Sequence, residues 1–135
     1  MVIDTSALVA ILIEEPGWEV YADQIRNSTC SRMSAPSFLE ASIVLRREKG
    51  EAGVRALRLF VDAFDIKVEP FTELDAEIAI EAHRRYGKGM NHPAQLNIPD
   101  TCTYALATQL KEPLLFKGND FSRTDLTPAQ PTSGR

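Results

Sequence analysis

Short apolar runs alternate along this chain with longer segments whose apolar residues recur every three to four positions. The first run, Met1-Val2-Ile3, is too short for a helix and closes on the carboxylate of Asp4. From Ser6 onward Leu8, Val9, Ile11 and Leu12 fall at helical spacing. Pro16-Gly17 ends that pattern, because proline lacks an amide donor and glycine weakens a helix. Residues 18–26 predict a second helix through Trp18, Tyr21 and Ile25, and residues 29–34 a short strand. Ser34 is a favourable cap and Pro36 is tolerated in a first turn, so a helix is expected over 36–49. Phe38, Ala41, Ser42 and Leu45 share one face of it, and Gly50 is placed to stop it. Residues 51–64 are again helical through Val54, Leu57, Leu59, Phe60 and Val61, and residues 66–71 read as a strand. Thr72 caps a helix running to Tyr86, with Ile78, Ala79 and Ala82 as its buried stripe. Residues 87–97 form a loop, 100–111 a helix through Tyr104, Ala105 and Ala107, and 113–117 an apolar strand. Pro128 and Pro131 mark residues 127–135 as a flexible C-terminal tail.

Apolar strands alternating with helices indicate a parallel sheet covered on both faces. The expected fold is α/β, a three-layer α/β/α domain with a central parallel sheet of about four to five strands. Sites in such sheets lie outside the carboxyl ends of the strands. Composition agrees: 135 residues with 44% hydrophobic and 25% charged content suit one globular domain, not a disordered, collagen-like or coiled-coil chain. The longest apolar stretch, residues 7–13, falls well short of the roughly 20 needed to span a membrane. The start lacks the basic lead-in of a secretory signal. Cys30 and Cys102 have no metal or disulfide spacing, so a reduced, cytoplasmic setting is expected. The net charge of −4 runs against the Lys and Arg excess of nucleic-acid binders. It ceases to do so if carboxylates gather around a divalent cation that binds phosphate in place of basic side chains.

Four carboxylates stand where such gathering is possible. Asp4 ends the first strand, Asp120 follows the last, Asp100 opens the helix between them, and Glu40 lies on a helical row with Ile43 and Val44. Taken singly, each has a plainer explanation. Asp4 and Asp100 suit helix caps, Asp120 a turn, and Glu40 the solvent edge of its helix. Taken together, an oxygen-only set suits Mg2+ or Mn2+ and not Zn2+. His83 sits among Glu81, Arg84 and Arg85 as a surface residue, and His92 lies in a loop; neither is a good ligand. Cys30 and Cys102 read as small apolar packing residues. There is no GxSxG, P-loop or GxGxxG, so serine nucleophile chemistry and nucleotide cradling are unsupported.

Val2-Ile3-Asp4-Thr5-Ser6-Ala7-Leu8, Ser37-Phe38-Leu39-Glu40-Ala41, Leu96-Asn97-Ile98-Pro99-Asp100, Tyr104-Ala105-Leu106-Ala107 and Leu114-Leu115-Phe116-Lys117-Gly118-Asn119-Asp120-Phe121 together resemble a PIN domain. More closely, they resemble the VapC ribonuclease toxins of type II toxin–antitoxin modules, over residues 1–126. The resemblance implies that Asp4, Glu40, Asp100 and Asp120 are catalytic and metal-binding, with Thr5 and Ser6 supporting them and Asn119 an alternative to Asp120. Pro99 and Thr101 depart from the family's frequent Gly and Cys, and Met90 from a basic loop residue.

The activity implied by the resemblance is metal-dependent hydrolysis of RNA, with Mg2+ (or Mn2+) polarising the phosphate and Glu40 acting on water or a second ion. Transfer RNA is the substrate class the family suggests. Arg46, Arg47 and Lys49, Arg84, Arg85 and Lys88, or Lys117 are candidate contacts to the RNA backbone, although each cluster taken singly is better explained as an ordinary solvated helix face. The resemblance also implies a VapB-type antitoxin reaching into the acidic pocket and a homodimer, with the helices at 18–26 and 51–64 offering apolar contacts. Two other readings compete: an inactive PIN scaffold that only binds a partner, and a receiver-like phosphoryl-transfer domain.

Overall fold

The computed structural model describes residues 1–129. The chain runs β1 (Val2–Ile3), α1 (Thr5–Leu12), α2 (Trp18–Asn27), β2 (Arg32–Ser34), α3 (Ala35–Lys49), α4 (Glu51–Ala63), β3 (Lys67–Glu69), α5 (Glu73–Tyr86), α6 (Ile98–Leu110) and β4 (Leu114–Leu115). The four strands are parallel in the order β3-β2-β1-β4. This is the expected α/β/α sandwich, with four strands in its sheet.

Strand alternation decides the layers. Val2 and Leu114 point into a core shared with α5 and α6, through Ala82, Tyr86, Tyr104 and Ala107. Their neighbours Ile3, Met33 and Leu115 point the other way, into a core built from α1, α2, α3 and α4. Both faces of β1 and β4 are covered, which is why these two read as plain apolar runs. Burying Ile3, Leu8, Met33, Leu45 and Leu57 completely contributes about 1.5–3 kcal/mol per side chain. Helices α3 and α4 turn on Gly50, whose φ of 66° lies in the left-handed region. They pack so closely that a Cβ on Gly53 would stand 2.5 Å from the Leu45 carbonyl oxygen.

Strand order reverses direction at β1, whose neighbours are β2 on one side and β4 on the other. The crevice at that switch point is where ligands bind in open α/β sheets. A receiver domain has the strand order 2-1-3-4-5, so the order found here removes the receiver-like alternative.

Several boundaries differ from expectation. Helix α6 begins at Ile98, two residues early, because Asn97 is its cap and Pro99 fits the first turn. Leu59 lies on the outer face of α4 and is 70% exposed. The loop at 87–97 is tied at its base by Lys88 N–H to the Leu96 carbonyl and Leu96 N–H to the Tyr86 carbonyl, both 2.9 Å. Thr127 and Ala129, expected in the loose tail, exchange backbone hydrogen bonds with Leu114 at 2.9 and 2.8 Å. They extend the edge of β4 in sheet fashion. The rest of the expected tail lies outside the described residues.

Candidate active site

The Asp4 amide donates to the Leu115 carbonyl at 2.9 Å, the last rung between β1 and β4. Asp4 therefore stands at the carboxyl edge of the sheet, at the switch point, and simultaneously caps α1. Its Oδ2 accepts from the Ser6 amide at 3.0 Å and from Ser6 Oγ at 2.6 Å, while Oδ1 accepts from Thr103 Oγ1 at 3.1 Å. Ser6 Oγ accepts in turn from the Lys117 amide at 2.9 Å, tying the ends of β1 and β4 together. Thr5 Oγ1 donates to the Ser37 carbonyl at 2.9 Å, joining α1 to α3.

Asp100 is the third residue of α6 and closes a capping box. Its Oδ2 accepts from the Asn97 amide at 3.0 Å, and Asn97 Oδ1 accepts from the Asp100 amide at 2.9 Å. Glu40 projects from α3, half-buried. Asp120 is exposed on the loop after β4. All four acids line one cavity of about 210 Å³ with Thr5, Ser6 and Lys117, backed by Val9, Val44 and Phe121. Larger hollows of about 430 and 380 Å³ elsewhere bring no comparable set of acids together. Asn119 is not among the lining residues, and its carbonyl accepts from Ser122 Oγ at 2.7 Å.

The electrostatics follow from crowding like charges in a half-dry space. Burial lifts the Asp4 carboxyl above the usual range, against the pull of its bonds to Ser6 and Thr103. Burial, and then the charge of Asp4, raises Glu40. Asp100 is pushed up to about 7, first by burial and then by the charges of Asp4, Asp120 and Glu40, although its bond from the Asn97 amide opposes this. Asp4, Glu40 and Asp100 are thus costly to keep ionised without a cation among them. Among the described residues, no three Asp, Glu, His or Cys side chains stand close enough together to hold a metal ion. The acids surround an open space instead, and an oxygen-only donor set of this charge fits a hard divalent cation.

The PIN domain family model matches residues 1–126. The chain belongs to the PIN domain family. Its relatives include Ribonuclease VapC42 of Mycobacterium tuberculosis, 43% identical over 129 residues that cover 96% of this chain and 98% of that one. Among solved structures, VapC20 of M. tuberculosis, described as a sarcin-ricin loop cleaving toxin, superposes with a TM-score of 0.80 at 17% identity, covering 96% of this chain and 98% of that one. A toxin–antitoxin complex from Klebsiella pneumoniae gives 0.71 at 14% identity, covering 97% of each chain. These two share the fold.

In this PIN domain several candidate RNA contacts are already engaged. Arg46 pairs with Glu51, Arg84 with Glu81, Arg85 with Asp125, and Lys117 with Glu15. Among the described residues, Arg47, Lys49 and Lys88 have no carboxylate partner within 4.0 Å. His83 is exposed, as expected. His92 Nδ1 accepts from the Ala94 amide at 3.0 Å and its ring meets Tyr86 edge-on, a structural role. Cys102 is buried and Cys30 half-buried, both as free thiols. Sequence reasoning does not single out Thr103, Asn97 or Ser37. The pattern Asn97-x-x-Asp100 is a legible capping box, and Thr103 lies one turn from Asp100 on the same helical face.

Proposed function

We propose that this PIN domain is a divalent-metal-dependent ribonuclease toxin of the VapC kind, hydrolysing RNA phosphodiester bonds with water as the nucleophile. The observation that carries this reading is the placement of Asp4, Glu40, Asp100 and Asp120 on the wall of one cavity at the switch point of the sheet. Asp4 and Asp100 are the ligands best fixed in place, and Asp120 completes the set from the loop. A bound Mg2+ or Mn2+ supplies phosphate polarisation and a lowered pKa for water. Glu40, half-buried and raised by its surroundings, takes the proton from the attacking water. The P–O3′ bond breaks, giving a 5′-phosphate and a 3′-hydroxyl. Arg47, Lys49 and Lys88, which have no carboxylate partner among the described residues, provide positive charge for the flanking phosphates, and Lys117 at the cavity wall joins them once released from Glu15.

The family supports a VapB-type antitoxin as the partner, transfer RNA as a substrate to try first, and action in the cytoplasm. No helix of the described residues is long and apolar enough to cross a membrane. A homodimer is supported by apolar residues left on the surface of the two helices expected to pair, Val20 on α2 at 48% and Leu59 on α4 at 70% exposure.

The test is cleavage of total and transfer RNA in Mg2+ or Mn2+ by the wild type, Asp4→Asn and Asp100→Asn. Each substitution is expected to reduce the rate by about 10²–10⁴, the range for loss of a group acting in the transition state. Undiminished cleavage by both variants overturns the reading. A folded wild type that cleaves nothing while binding an antitoxin would favour the inactive scaffold.

A further inference from the structure

Beneath the acidic cavity lies a run of hydroxyls sealed from solvent: Ser34 is 3% exposed, Ser37 0% and Thr103 1%. Thr103 Oγ1 donates to Asp4 Oδ1 at 3.1 Å and lies 2.6 Å from Ser37 Oγ. Ser34 Oγ donates to Ser37 Oγ at 2.8 Å and accepts from the Ser37 amide at 3.3 Å. With Asp4 ionised, as a cation ligand is, proton counting fixes the direction of the whole run. An ionised carboxylate only accepts, and a hydroxyl has one proton to give. Thr103 spends its proton on Asp4, so Ser37 must donate to Thr103, and Ser34 to Ser37. Every hydroxyl in the run points its proton towards Asp4, an arrangement in which successive bonds strengthen one another.

This is not how a buried helical threonine ordinarily satisfies itself. Thr101, in the same helix, bonds to the carbonyl of Ile98 at 2.6 Å, the usual local solution. Thr103 instead reaches a residue 99 positions away in sequence. The placement also has a consequence for spacing. Ser37 lies one turn ahead of Glu40 on α3, and Thr103 one turn past Asp100 on α6. Thr5, beside Asp4, holds the Ser37 carbonyl at 2.9 Å. The run therefore binds together the three elements that carry Asp4, Glu40 and Asp100.

We propose that Thr103 and Ser37 are positioning residues, a buried hydroxyl relay that locks the Asp4 carboxylate and sets the distance between the helices bearing Glu40 and Asp100, so that the acids are preorganised for a divalent cation. The proposal rests on the reading of Asp4 as a cation ligand. Ser6 fixes one Asp4 oxygen from α1, and the relay fixes the other from α3 and α6. Groups that orient a ligand from behind govern affinity as well as rate.

The experiment is calorimetric titration with Mn2+, cleavage of RNA across a Mn2+ series, and thermal unfolding in EDTA, on the full chain and three variants. Thr103→Val, which keeps the shape and removes the hydroxyl, is expected to weaken Mn2+ binding by about 10–100-fold and to raise the Mn2+ needed for half-maximal cleavage correspondingly. Saturating Mn2+ is expected to recover most of the rate. Thr103→Ser should restore binding, and Ser37→Ala, which leaves every acid and Thr103 in place, should show a smaller loss of the same kind. If Thr103→Val does not fold, Ser37→Ala decides by the same readout. Variants that bind Mn2+ like the wild type but unfold at lower temperature in EDTA overturn the relay and leave the hydroxyls as packing. A folded wild type that binds no Mn2+ overturns the cation reading itself, and the relay with it.

Discussion

Asp4 and Asp100 each hold two jobs in one side chain, and the conflict between them sets how the site responds to pH. Both are helix caps, Asp4 for α1 and Asp100 within the capping box of α6, and both line the acidic cavity. Capping favours the ionised form, whereas burial among other acids disfavours it. For Asp100 burial wins, and its carboxyl titrates at about 7. Between the ordinary carboxylate range and that value, the native metal-free protein holds a proton that the unfolded chain has released. Its stability therefore falls as pH rises through this window, by an amount on the order of 4 kcal/mol at most. Asp4, raised for the same reason, adds in the same direction. In EDTA the melting temperature is expected to decline from about pH 5 to 7.5. Asp100→Asn, whose amide oxygen can still accept from the Asn97 amide, should flatten that decline. A flat wild-type profile would show that the Asp100 carboxyl is not carried upward by its surroundings.

At the scale of elements, α6 is the part on which the site depends most. Residues 100–107 are all buried, so the helix has no freedom to rotate, and Asp100 and Thr103 face Asp4 together. Its start is fixed by Asn97, not by Asp100. Sequence alone misplaces the onset because the acid reads as a cap by itself, while the asparagine three residues earlier supplies the reciprocal bond. Removing that bond with Asn97→Ala should cost about 1 kcal/mol and lower the melting temperature by roughly 3–5 °C. It should also weaken cation binding, since the first turn bearing Asp100 loses its anchor. A variant that melts and binds like the wild type would mean that tertiary burial alone fixes the turn. Leu59 illustrates the opposite limit of sequence reading. Its place in the apolar pattern of residues 51–64 is clear, but which apolar residue of a helix faces outward depends on where the neighbouring helix lies. Strands β1 and β4 are legible for a simpler reason, since residues buried on both faces leave a continuous apolar signature.

At the scale of the whole molecule, the parallel order β3-β2-β1-β4 converts residues far apart in the chain into neighbours. Asp4, Asp100 and Asp120 stand out in sequence, because strand ends and helix starts are marked by composition. Their partners distant in sequence do not. Nothing in the sequence around Thr103 announces a bond to Asp4, since that contact exists only once β1 and α6 lie side by side. The same assembly concentrates negative charge in a chain that already carries a net −4. Burial prevents bulk salt from screening this cluster well, so the repulsion is relieved by a proton, as on Asp100, or by a bound cation. Mg2+ or Mn2+ should accordingly stabilise the folded protein, by about 2.7 kcal/mol at a hundredfold excess over its dissociation constant. EDTA should reverse the gain, and NaCl of equal ionic strength should not reproduce it. Asp4→Asn combined with Asp100→Asn should melt higher than the wild type in EDTA, because two buried charges are gone, and should gain little from Mn2+. Equal stabilisation of wild type and double variant by Mn2+ would place the cation elsewhere on the molecule. That result would separate the fold, which the strand order secures, from the chemistry assigned to its switch point.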